Sequence, residues 1–210
     1  MKKKLEIVGI VFGFILLVIT LAKPSLLTAE KSSSSVPFDG MSLVYQGNMY
    51  GKVGTRAVAV LKYDPTENTV VIRDSMDPET LGELNLDVSM VVDVSTREVL
   101  WHNSSLWPDT GFWVEYWIPT EVKIGSHVKV GTLDAEVVDS SVMWVDGNPV
   151  EAWKLYADFE GGKDTWYYEK STGLFIGASW AIFDEDGRVA GDLNWGGHLV
   201  STNVALPIAK

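Results

Sequence analysis

The chain has 210 residues, with 17 basic against 28 acidic side chains and a net charge of −11. No Lys/Arg run occurs beyond residue 4, so no nucleic-acid partner is expected. There is no cysteine, which excludes disulfides, thiolate metal sites, thiol catalysis and acylation at a lipoprotein cysteine.

The first element is hydrophobic. Residues 7–22 carry no charge, with Lys2, Lys3 and Lys4 before them and Lys23-Pro24 after. A membrane-spanning helix needs roughly 17–25 apolar residues, so this run sits at the short end, extended by snorkelling of Lys4 and Lys23. Residues 1–22 are therefore expected to be a transmembrane anchor or an uncleaved signal. A cleaved signal peptide is the competing reading, because Thr20-Leu21-Ala22 is a passable cleavage site. The lysines set the expected topology of a single-pass membrane protein, N-terminus cytoplasmic and the remainder outside. Residues 23–37, with four consecutive serines from Ser32 to Ser35, are expected to form a flexible stalk. Beyond Lys23, thirteen basic residues face twenty-seven acidic ones. That excess favours solubility and repels anionic membrane surfaces.

Residues 38–210 are expected to form one all-β extracytoplasmic domain. Residues 57–63 alternate, end in the turn cluster Asp64-Pro65-Thr66-Glu67-Asn68, and return as 69–73, a hairpin. Asp77-Pro78 suggests a short helical turn. Segments 86–93 and 98–102 flank Ser95-Thr96 as a second hairpin. Residues 112–118 are expected to be a strand. Strands 128–130 and 133–138 surround Gly131, and 142–145 turns through Asp146-Gly147-Asn148-Pro149 into 150–159. After Gly161-Gly162 come 165–169, the turn Ser171-Thr172-Gly173, and 174–183, apolar on both faces as a covered central strand would be. Asp184-Glu185-Asp186-Gly187 then leads to 189–195 and 198–204. Tight turns at this spacing imply an antiparallel meander, since parallel strands need crossover helices.

Trp166-Tyr167-Tyr168-Glu169-Lys170-Ser171-Thr172-Gly173-Leu174 resembles a hairpin of exported lipoprotein-carrier-like proteins, in which an aromatic pair ends one strand and a Gly precedes the next. Val150-Glu151-Ala152-Trp153-Lys154-Leu155 fits the same meander. The stretch 125–138 is similar to membrane-anchored archaeal proteins of unknown function. The resemblance covers the C-terminal half. It implies a curved antiparallel sheet or half-barrel whose concave face holds an apolar ligand or a partner, and it carries over no catalytic residue.

Candidate chemistry is sparse. His102, His127 and His198 have no metal-ligand spacing. Gly177-Ala178-Ser179-Trp180-Ala181 lacks the second Gly of a nucleophile elbow. Asp184, Asp186 and Asp192 are the best calcium candidates, though turn chemistry accounts for the first two without metal. No cofactor or metal is expected. Asn103-Ser104-Ser105 is a glycosylation sequon, making Asn103 the acceptor candidate. The sharpest feature lies in 112–118. If this is a strand, Phe112, Val114, Tyr116 and Ile118 face the core, and Trp113, Glu115 and Trp117 face away. Two indoles about 7 Å apart, flanking a carboxylate, can stack on a sugar or hold a cation. They can equally be a second core face with Glu115 in an ion pair. The expected function is a non-enzymatic, membrane-tethered binding domain for an apolar small molecule or an envelope protein. The alternative is an envelope-associated hydrolase or glycan-acting enzyme, which needs carboxylates converging in a cleft.

Overall fold

Turn chemistry sets most of the ladder. A computed structural model of the protein describes residues 36–49, 52–76, 87–105, 108–182 and 195–209. Eleven strands are present among them: β1 (Ser42–Met49), β2 (Lys52–Asp64), β3 (Thr69–Met76), β4 (Asp87–Asp93), β5 (Val99–His102), β6 (His127–Val130), β7 (Leu133–Val145), β8 (Asn148–Phe159), β9 (Gly162–Glu169), β10 (Phe175–Ile182) and β11 (Trp195–Thr202). The β2–β3 turn is fixed by Asp64, whose Oδ1 accepts from the amides of Thr66 and Glu67, and by Asn68 at positive φ. Asp146 and Gly147, both at positive φ, make the two-residue β7–β8 turn.

The strands form one antiparallel sheet in the order β5, β4, β3, β2, β1, β11, β10, β9, β8, β7, β6. The expected meander is present in two halves. They are joined where β1 pairs with β11, and the chain passes from one outer edge, β5, to the other, β6.

The sheet is strongly curled. Eleven strands laid flat would place β5 and β6 about 48 Å apart. Instead Trp113 bridges Glu98, just before β5, and Gly131, just after β6. Glycines help the sheet bend. A Cβ on Gly47 of β1 would stand 2.8 Å from the Gly197 Cα of β11, so this approach excludes any side chain. The inner face carries the core, including Leu43, Val60, Ile72, Met90, Leu155, Tyr168 and Leu199, all 2 % exposed or less.

Two expectations are corrected. Residues 112–118 are not a strand but a segment crossing the interior with isolated bridges at Trp113 and Trp117. The Val99 amide donates to the Phe112 carbonyl and the Val114 amide to the Arg97 carbonyl, which ties the segment to the approach of β5. At its far end the Ile118 amide donates to the Gly173 carbonyl and the Phe175 amide to the Tyr116 carbonyl. Residues 133–138 and 142–145 are one long strand, β7, with a bulge between Val137 and Asp139.

Lys31–Lys210 forms one compact unit. The expected anchor and the stalk up to Ser35 lie outside the described residues. So do the helical turn at Asp77-Pro78, the turn at 184–187, residues 189–194, and the calcium candidates Asp184, Asp186 and Asp192. Among the described residues no helix is long and apolar enough to cross a membrane.

Candidate functional site

Charges placed on the apolar parity of strands create the first site. On β2 Arg56 shares the inner face with Val58 and Val60; on β3 Asp74 shares it with Val70 and Ile72. Arg56 Nε lies 2.9 Å from Asp74 Oδ1, and Nη2 lies 2.7 Å from Oδ2. The Tyr116 hydroxyl donates to Asp74 Oδ2 at 2.7 Å, and Arg56 Nη1 donates to Glu115 Oε1. The crossing segment is thus fastened to β2 and β3 by two consecutive side chains. Burial works against the Arg56 charge, but Asp74, Tyr116 and Glu115 outweigh it and hold the guanidinium above its ordinary range. Burial also pushes up the Tyr45, Tyr116 and Tyr168 phenols.

Asp164 joins this cluster from β9, on the same parity as Trp166 and Tyr168. Burial, and then the charge of Glu115, push its carboxyl up to about 7. A raised carboxyl pKa means that the folded state resists ionisation. Its contribution is fully present below the unfolded value near 4 and is lost as pH rises through 7. Asp164→Asn should therefore stabilise the protein at pH 8, by about 1–2 kcal/mol after discounting for solvent screening of a half-buried group, and change little at pH 4. Denaturant midpoints at the two pH values check this; equal midpoint shifts at both would count against it.

The second site is a groove of about 900 Å³ at the end of the sheet formed by the β4–β5 and β9–β10 turns. Its apolar lining includes Val36, Val94, Trp117, Ile118, Leu206 and Pro207. Several hydroxyls at its rim are already engaged. Ser171 and Thr172 donate to Glu169, itself 1 % exposed, and Ser95 accepts from Asn68. Arg97 lies beside the groove, buried at 4 % exposure, with its backbone at φ 66°.

Trp113, Glu115 and Trp117 do not share an outward face. Trp117 is 3 % exposed and belongs to the core, so its expected exposure is corrected: alternation holds only within a ladder, and this segment crosses the interior. Trp113 is half-buried with Lys129 Nζ 5.8 Å from its ring. Glu115 is in an ion pair with Arg56. Trp117→Ala should cost about 3–5 kcal/mol, and Trp113→Ala about half that, in denaturant melting. A near-wild-type midpoint for Trp117→Ala would refute its core placement.

The histidines sit on three separate strands, His102 on β5, His127 on β6 and His198 on β11. Among the described residues no three His, Asp or Glu side chains gather closely enough to hold a metal. Asn103 is exposed, and its Oδ1 accepts from the Ser89 amide at 2.8 Å. Sequence reasoning missed Arg56, Asp74, Asp164 and Arg97. For the first three the signal was present, a charge on the apolar parity of an otherwise alternating strand.

No family model and no curated protein matches the chain. Among solved structures, it is similar to MucB in the Pseudomonas aeruginosa MucA/MucB complex, at 15 % identity and TM-score 0.41, covering 81 % of this chain and 58 % of that one. MucB in complex with MucA(peri) matches at 12 % identity and TM-score 0.39, over 82 % and 52 %. A LolA-superfamily protein, NE2245 from Nitrosomonas europaea, matches at 9 % identity and TM-score 0.28, over 89 % and 96 %. The chain thus spans little more than half the length of the MucB structures. Likenesses this distant assign no function.

Proposed function

We propose that the protein is a non-enzymatic binding domain, tethered outside a membrane by its N-terminal hydrophobic segment, that takes an apolar small molecule or an apolar portion of an envelope protein. The groove carries this reading. Its volume of about 900 Å³ lies within the range of ligand sites, and its rim hydroxyls are satisfied internally, leaving apolar surface for a guest. The tether and topology rest on the uncharged run at 7–22 and the lysines before it. Asn103 remains the acceptor candidate for a glycan on the exported face.

The test uses the full chain in lipid nanodiscs and the neutral fluorescent probe N-phenyl-1-naphthylamine. Ser95→Trp/Pro207→Trp, which places indoles across the groove from two exposed positions, serves as the blank in the same discs. Saturable probe fluorescence above the blank is expected. Identical signals from the two chains would overturn the groove as a binding site.

One observation favours a second reading, a hydrolase or glycan-acting enzyme. Asp164, pushed up to about 7, is poised as a general acid, with the Glu115 carboxylate acting on it. Against this, Glu115 is committed to Arg56 in the network that fastens the crossing segment. Hydrolysis of a cell-envelope glycan that Asp164→Asn abolishes would install the enzyme reading in place of the first.

A further inference from the structure

A buried cation with no counter-ion among the described residues marks the groove. Arg97 Nη1 donates to the carbonyl oxygens of Val114 at 3.2 Å and Trp117 at 3.1 Å, and Nη2 donates to that of Lys129 at 2.6 Å. All three acceptors are neutral. Among the described residues no carboxylate pairs with Arg97, whereas Arg56 holds two and Arg73 one. Among the described residues, the three bonds leave two of the five guanidinium N–H donors unused. Burial depresses the Arg97 guanidinium below its ordinary value, with Tyr168 acting the other way. A buried charge with no partner is costly, and it sits here on a residue at positive φ, where Gly or Asn would be at ease. The only carboxylate on the described lining of the groove is Glu121, which is exposed and accepts from Thr120. Arg97 therefore supplies a positive charge, uncompensated among the described residues, at the edge of a groove lined by both apolar and polar surface.

We propose that the groove takes a small apolar molecule bearing one carboxylate, its apolar body against Trp117, Ile118 and Leu206 and its carboxylate on the free donors of Arg97. The inference rests on the groove reading and specifies its ligand. A charge-assisted bond is roughly twice as strong as a neutral one, and desolvation in the groove removes the competing water. The apolar lining by itself would bind any hydrophobe of suitable size. Arg97 adds a preference by head group.

The test is displacement of N-phenyl-1-naphthylamine from the full chain in nanodiscs by three ligands of equal chain length: octanoate, octan-1-ol and octyltrimethylammonium. The Ser95→Trp/Pro207→Trp chain in the same discs provides the blank. Octanoate is expected to displace the probe at a concentration about tenfold lower than octanol, with octyltrimethylammonium weakest. Arg97→Gln should abolish the octanoate preference while octanol is unaffected. If that variant does not fold, the ratio measured on the wild-type chain still decides. Equal displacement by octanoate and octanol would overturn the carboxylate proposal and leave the groove reading standing, with Arg97 only a staple for the crossing segment. Preference for the ammonium would overturn it too. Failure of the probe itself to bind above the blank would overturn both.

Discussion

Gly173→Ala should unfold the domain or expel its crossing segment, with a loss above about 3 kcal/mol. Gly173 follows the β9–β10 turn at φ 70°. A Cβ there would stand far inside contact distance of the Ile118 carbonyl oxygen, and the obstruction is backbone rather than the end of a flexible side chain. The same glycine's carbonyl accepts from the Ile118 amide at 2.8 Å, so the methyl group would strike the point where the interior segment is fastened to the middle of the sheet. Left-handed backbone alone costs a non-glycine residue about 1 kcal/mol, and the clash adds to it. Gly125→Ala is the control. It also has positive φ, at 84°, but nothing lies within 4 Å of where its Cβ would stand, so only the conformational cost applies. Denaturant melting of both variants checks the pair. Similar midpoints would mean that the segment is not seated against Gly173.

Arg56→Met should lower stability by about 3–5 kcal/mol, although methionine retains much of the volume. The substitution strips Asp74, whose side chain is 8 % exposed, of its bidentate partner and leaves Glu115 without its ion pair. Only the Tyr116 hydroxyl would still donate to Asp74. The partnered variant Arg56→Met/Asp74→Asn should recover a substantial part of the loss, because it removes the stranded charge along with the cation. A double-mutant cycle measures that coupling. Additive losses would show that the guanidinium acts through packing, not through charge.

The hairpins were legible because their turns carry their own chemistry. Asp64 through Asn68, Ser95-Thr96 and Asp146-Gly147 each fall between strands that pair as expected. The long strand β7 looks like two in the sequence, since Asp139-Ser140-Ser141 interrupts its apolar pattern. Its outer face is exposed there, so polar residues and a bulge are tolerated within one ladder. The crossing segment misled more deeply. Its alternation Phe-Trp-Val-Glu-Tyr-Trp-Ile imitates a half-buried strand, but in the interior of a curled sheet Tyr116, Trp117 and Ile118 are buried in succession. The sites depend on the curling of the open sheet, which no local pattern encodes. Arg97 and Trp117 are 20 residues apart and Arg56 and Glu115 are 59 apart, and each pair meets only because the two outer edges come round to one segment.

Hydrogen–deuterium exchange of the full chain in nanodiscs, with and without saturating N-phenyl-1-naphthylamine, tests the groove most directly. Ligand-dependent protection is expected at residues 94–97, 117–121, 171–172 and 205–207, which converge there with Val36. Protection confined to exposed aromatics elsewhere, such as Trp101 and Trp144, or no protection at all, would contradict a ligand site at this end of the sheet.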